Sequence, residues 1–206
     1  MIKNKIPNYL TILRILLWIP LLFCLTWFYY HSKNTTVYIK NKYYFVFVIA
    51  LIVFVIAMFT DFLDGFLARK FKAISTFGQL FDPLSDKIIV STILIFLALL
   101  KFSEIWIVVI FIVRDIMVDG FRNLAAKYNK KVAASVWGKL KTLSQTFAII
   151  LLMVLMPILD ENNKQYKLYY WILNIPMFCA LFFSIFSGIL YFKEIKNLVY
   201  FKNKQV

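Results

Sequence analysis

Asp61, Asp64, Asp82, Asp86, Asp115 and Asp119 lie inside or at the ends of apolar stretches. Only Glu104, Asp160, Glu161 and Glu194 read as ordinary loop or boundary charges. The first four fall in one segment, DFLDGFLARKFKAISTFGQLFDPLSDK, residues 61–87. Residues three, four, seven or eight apart share a helix face. Asp61, Asp64, Gly65, Ala68 and Arg69 therefore form one stripe, and Gly78, Asp82 and Asp86 form a second on the next helix. A short turn joins the two helices, so the stripes can face each other. Carboxylates converging in a low dielectric repel one another unless cations sit between them. Oxygen-only ligands point to Mg²⁺ or Mn²⁺ rather than to a soft metal. Gly65, Ala68 and Gly78 leave room for a bulky group against the backbone. Helix caps and salt bridges to Arg69 and Lys87 would explain one or two of these acids, not four on two stripes. A divalent-cation transport site would explain the acids, but not the small residues or the flanking cations.

The elements that must carry these stripes are membrane helices. The chain has 206 residues, 62% hydrophobic and 17% charged, with a mean hydropathy of +0.77. Soluble domains carry roughly 45–50% apolar and about 25% charged residues. Apolar runs of about 20 residues match the thickness of a bilayer core. The expected fold is all-α, a polytopic membrane protein in a single domain over residues 1–206. Six spans are expected, at about 10–30, 43–69, 83–100, 104–125, 140–159 and 168–192, after a short N-terminal interfacial segment over residues 1–9. Residues 10–30 are too long and too aromatic for a cleavable signal and read as the first span. Cys24 and Cys179 read as small hydrophobes without a metal or disulfide pattern. His31 stands alone, which excludes a histidine metal cluster.

Charge sets the expected orientation. With the N-terminus inside, most of the 24 Lys and Arg residues fall in cytosolic segments, which favours both termini in the cytosol. The acidic segment then lies at the cytosolic ends of spans 2 and 3. The net charge of +14 reads as positive-inside loops and attraction to anionic lipid headgroups. Nucleic acid is not expected as a partner, because the basic residues are scattered over loops between spans. Tyr and Trp near the span ends form interfacial belts.

Asp61-x2-Asp64-Gly65-x2-Ala68-Arg69-x8-Gly78-x3-Asp82-x3-Asp86 resembles the signature of the CDP-alcohol phosphatidyltransferase family at every fixed position. The resemblance implies six spans and a two-metal site holding Mg²⁺ or Mn²⁺ on Asp61, Asp64, Asp82 and Asp86. It implies that Asp86 is the general base. Asn8, Thr11, Asp64, Gly65, Ala68, Arg69 and Gly78 are implied to bind the CDP-lipid nucleotide. The reaction implied moves a phosphatidyl group from CDP-diacylglycerol to an alcohol and releases CMP. A homodimer in the bacterial inner (cytoplasmic) membrane, with the active site facing the cytosol, is implied as well.

Three further stretches resemble the phosphatidylglycerophosphate-forming branch of that family. They are IPNYLTILR, with Pro7, Asn8, Thr11 and Arg14; FDPLSDK, with Ser85 where Ala is usual; and Gly138-Lys139-x-Lys141-Thr142-x2-Gln145. The acceptor this implies is glycerol 3-phosphate, with phosphatidylglycerol, inositol phosphate or serine as alternatives. A small dianion needs fixed cations, and Arg114, Lys139, Lys141 and Arg122 are the candidates. Arg114 is costly inside a span unless paired, and Asp115 or Asp119 could pair with it. Arg114-Asp115 stands where the branch carries Arg-Glu. Ser184, Ser187 and Gly188 read as either a close helix contact or a dimer face.

Overall fold

The protein is described here by a computed structural model, which gives the backbone of residues 6–33, 37–71, 76–127, 136–159 and 163–203. Side chains are described for residues 9, 11–32, 43–63, 84–126, 136–159 and 163–196. Every element among them is helical: α1 (Ile6–Lys33), α2 (Val37–Phe71), α3 (Thr76–Leu99), α4 (Ile105–Lys127), α5 (Val136–Leu155) and α6 (Tyr166–Asn203). A short 3-10 turn, Met156–Ile158, follows α5.

Among the described residues, four stretches are long and apolar enough to cross a membrane: Thr11–Ser32, Tyr43–Leu63, Val136–Ile158 and Tyr166–Lys196. The chain is thus an all-helical membrane protein. Charges interrupt α4 most heavily, at Arg114, Asp115, Asp119 and Arg122. Two boundaries differ from the sequence expectation. Residues 6–9 belong to α1 itself rather than to a separate interfacial segment, with Pro7 in the first turn, where its missing N–H costs nothing. Residues 1–5 lie outside the description. In addition, α3 starts at Thr76, ahead of the span expected from about residue 83, so it carries Gly78 and Asp82 as the second stripe requires.

The chain divides into two compact units. The first comprises residues 1–101 and 153–161. Within it α1 packs on α2 and α3, and α2 also meets α3. Each helix contributes one buried seam with heptad-like spacing: Leu21, Leu25 and Phe28 on α1, Phe47, Ala50, Phe54 and Ala57 on α2, Ile89, Ile93 and Leu97 on α3. The seams continue into polar residues at one end: Thr11 and Arg14 on α1, Thr60 and Asp61 on α2, Ser85 on α3. Halfway along, Trp18 Nε1 donates to Thr92 Oγ1 at 2.9 Å, and that hydroxyl donates to Ile88 O at 2.7 Å. Phe23, Phe45, Phe59 and Phe62 point outward, as lipid solvent permits.

The second unit comprises residues 102–152 and 162–206, and its α4 packs on α6. Its seams are Ile107, Phe111 and Val118 on α4, Ala148 and Leu152 on α5, and Met177, Ala180 and Tyr191 on α6. Fully buried Asn174 donates to Phe102 O at 3.1 Å and to Tyr170 O at 2.9 Å, fastening the start of α4 to α6.

Bonds between membrane helices contribute about 0.6 kcal/mol on average, with an upper range of ~1.7. Trp18→Phe, Thr92→Val and the double variant should therefore show a coupling of about 0.5–1 kcal/mol, read from thermal unfolding in detergent. Additive losses would mean that the Trp18–Thr92 bond contributes nothing.

Candidate functional site

The polar end of the first unit is organised around Arg14. Its side chain is fully buried, with 0% exposure, and Nη1 lies 2.7 Å from Asp61 Oδ1. The same nitrogen donates to Ser85 Oγ at 3.3 Å. One guanidinium therefore joins α1, α2 and α3 at the point where the apolar seams give out. Removing one partner of a buried pair leaves an uncompensated charge, at a cost of about 3–5 kcal/mol. Here Asp61 keeps 47% of its side chain exposed, so its own desolvation is partial and the cost falls below that range. The arrangement fixes a carboxylate that is still partly exposed.

Asp61 is followed along α2 by Asp64, Gly65, Ala68 and Arg69, while α3 carries Gly78, Asp82 and Asp86 in its first three turns. The side chains of Asn8, Asp64, Gly65, Ala68, Arg69, Gly78 and Asp82 lie outside the described residues. Asp86 is half-buried and next to Ser85, the α3 residue that Arg14 reaches. Thr11 is fully buried one turn before Arg14. Sequence reasoning included Arg14 in a motif without a role. Its seven-residue spacing from Leu21 was the available signal, because it puts a cation on the α1 core seam.

The second unit holds a separate basic centre. Arg114 Nε donates to Ser184 O at 2.9 Å, Nη1 to Asp115 Oδ1 at 2.9 Å and Nη2 to Ser187 Oγ. Ser187 Oγ donates in turn to Ser184 O at 3.0 Å. Lys141, from α5, donates to both oxygens of Asp115, at 2.9 and 2.7 Å. Its ammonium also lies 5.8 Å from the centre of the Phe111 ring. Asp115 is thus the common anion of two cations on different helices.

The four basic residues expected at an acceptor site therefore divide. Arg114 and Lys141 meet on Asp115. Arg122 donates to Tyr191 OH at 3.1 Å and sits 5.2 Å from that ring's centre, farther along the α4–α6 seam. Lys139 is exposed, and its carbonyl accepts from Thr142 Oγ1 at 2.9 Å. Ser184, Ser187 and Gly188 make a close contact within the chain. They let α6 approach Arg114 so tightly that a Cβ on Gly188 would meet Arg114 Cγ and Nε at 3.5 Å.

The family model for CDP-alcohol phosphatidyltransferases matches residues 4–186. A Mycoplasma pneumoniae protein named CDP-diacylglycerol–glycerol-3-phosphate 3-phosphatidyltransferase is 30% identical over 98% of this chain and 92% of its own length. A protein of the same name from Rickettsia prowazekii is 32% identical over 95% of this chain and 98% of its own. The Bacillus subtilis protein of that name is 35% identical over 69% and 71%, respectively.

The fit of Gly188 against Arg114 yields a graded expectation. A contact at 3.5 Å is ordinary, and Ala gains up to about 1 kcal/mol over Gly in a helix. Gly188→Ala should hold or slightly raise the unfolding temperature. Gly188→Leu would drive a branched side chain into the Arg114 stem and cost about 1–3 kcal/mol. Equal tolerance of both, in thermal unfolding of the detergent-solubilised protein, would refute the close approach.

Proposed function

Because the chain belongs to the CDP-alcohol phosphatidyltransferase family, we propose that it transfers the phosphatidyl group of CDP-diacylglycerol to glycerol 3-phosphate. The products are phosphatidylglycerol phosphate and CMP. The observation that carries the acceptor is the pair of cations, Arg114 and Lys141, held on one carboxylate among apolar helices. Two cations and one anion leave a net positive centre, which suits a phosphate dianion better than a neutral alcohol. Relatives whose names specify glycerol 3-phosphate support the same choice.

Asp61, Asp64, Asp82 and Asp86 would hold two divalent cations, Mg²⁺ or Mn²⁺. The residues suit hard cations: their donors are oxygens only, and Asp61 is anchored by Arg14 while 47% of its side chain stays exposed. When bound, the cations neutralise the diphosphate and polarise the attacked phosphorus. The chain's own residues supply the remaining steps. Asn8, Thr11, Asp64, Gly65, Ala68, Arg69 and Gly78 hold the cytidine nucleotide. Asp86 takes the proton of the glycerol 1-hydroxyl as that oxygen attacks the lipid-side phosphorus. The bond from this phosphorus to the oxygen of CMP breaks, and CMP leaves with the electron pair. Lys139 and Arg122 flank the acceptor phosphate, and Arg114 and Lys141 bind it.

The protein works as a single domain over residues 1–206, with six spans and both termini in the cytosol. It acts as a homodimer at the cytosolic face of the bacterial inner membrane.

Purified protein given CDP-diacylglycerol and Mg²⁺ or Mn²⁺ should release CMP with glycerol 3-phosphate and stop when the cation is chelated. Release only with phosphatidylglycerol, inositol phosphate or serine would overturn the acceptor. No release with any acceptor, alongside divalent-cation flux into liposomes, would replace the enzyme with a transporter. Asp86→Asn should lower kcat by at least about 100-fold, within the range for a lost general base, while CDP-diacylglycerol still binds. Near-normal turnover would remove Asp86 from the base role.

A further inference from the structure

Asp115 takes no step in the proposed reaction, yet both of its carboxylate oxygens are engaged by cations. Oδ1 accepts from both Arg114 and Lys141, and Oδ2 accepts again from Lys141. The three side chains are 14%, 17% and 6% exposed for Arg114, Asp115 and Lys141, respectively. Adjacent helix positions do not normally face each other. Arg114 turns onto its own neighbour because Ser184 O and Ser187 Oγ on α6 hold the other edges of the guanidinium. Lys141 arrives from a different helix and lies on the Phe111 face. Without the carboxylate, two like charges in a low dielectric would separate.

We propose that Asp115 is a positioning residue for the acceptor: it sets the spacing and orientation of Lys141 and Arg114 so that together they receive a phosphate monoester. The proposal rests on glycerol 3-phosphate as the acceptor. Hydrogen bonds to Ser184, Asp115 and Ser187 engage three guanidinium donors of Arg114, and a guanidinium carries five. N–H groups therefore remain for a ligand. Two neighbouring polar atoms point to one independently. Gln145 Nε2, one turn from Lys141 on α5, and Ser184 Oγ, on the residue whose carbonyl holds Arg114, are buried without a hydrogen-bond partner. Buried polar atoms are rarely left unsatisfied unless a ligand, ion or water completes them. An ordinary structural salt bridge would not need such neighbours.

The test measures KM for each substrate by CMP release. The wild-type protein is first run with each acceptor, which decides the acceptor separately; the variants then use whichever acceptor supports release. Asp115→Asn should raise the acceptor KM about 10-fold or more and change the CDP-diacylglycerol KM by less than about 2-fold, a split that lost folding would not produce. Asp115→Glu, which keeps the charge, should recover most of the loss. Arg114 keeps Ser184 O and Ser187 Oγ without Asp115, so the carboxylate acts chiefly through Lys141, and the Asp115→Asn/Lys141→Met double variant should match Lys141→Met alone. This comparison removes a cation with the anion, so it remains informative if Asp115→Asn alone does not fold. An acceptor KM that is unchanged or lowered by Asp115→Asn would overturn the proposal. Parallel rises in both KM values, or a double variant clearly worse than Lys141→Met, would also overturn it.

Discussion

A buried charge in this chain must be paired within the protein, and the Arg14–Asp61 contact shows what that demands. Arg14 has no solvent exposure, so its guanidinium depends on acceptors from neighbouring helices. Asp61 and Ser85 provide two of them, one on α2 and one on α3. The helices can supply them only because the apolar seams from Leu21 to Phe28, Phe47 to Ala57 and Ile89 to Leu97 hold α1, α2 and α3 in register. Core packing and site geometry are consequently one construction, with the hydrophobic half aligning the polar half.

The second unit solves the same problem with different groups. Arg114 and Lys141 share Asp115, while a backbone carbonyl and a serine hydroxyl satisfy other edges of the guanidinium. Small side chains make this possible. With Gly188 against the stem of Arg114, α6 comes close enough for Ser184 and Ser187 to reach the guanidinium head. The feature that reads in the sequence as a generic helix-contact stripe is therefore the seat of a buried cation. The remaining cations are treated differently. Arg122 stacks on Tyr191 and Lys139 faces outward, so neighbouring basic residues occupy different electrostatic environments.

Much of this was legible before any coordinates. The length and apolarity of the runs demanded membrane helices, because an unpaired backbone cannot cross lipid. The spacing of Asp61, Asp64, Gly65, Ala68, Arg69, Gly78, Asp82 and Asp86 carried the family resemblance, which the match over residues 4–186 bears out. That Arg114 would pair with Asp115 or Asp119 followed from the cost of a lone cation at depth, and the structure selects Asp115. These inferences depend on residue type and local period, which a sequence displays directly.

Other features depend on which helices meet, and no local pattern contains that. Nothing in the spacing of residues 14, 61 and 85 brings them together across three helices, and nothing in GKLKT reveals that Lys141 rather than Lys139 turns inward to Asp115. Whether Ser184, Ser187 and Gly188 met another helix of the same chain or a second copy was likewise open until α4 was placed against them. The sequence by itself determined the solvent and the helical class, which follow from composition and one-dimensional period, and pointed to the chemical family through a motif that resembles that family's signature. The tertiary structure decided which charges share a partner, because a salt bridge between helices is a distance, and distances across a bundle are set by the packing of the seams.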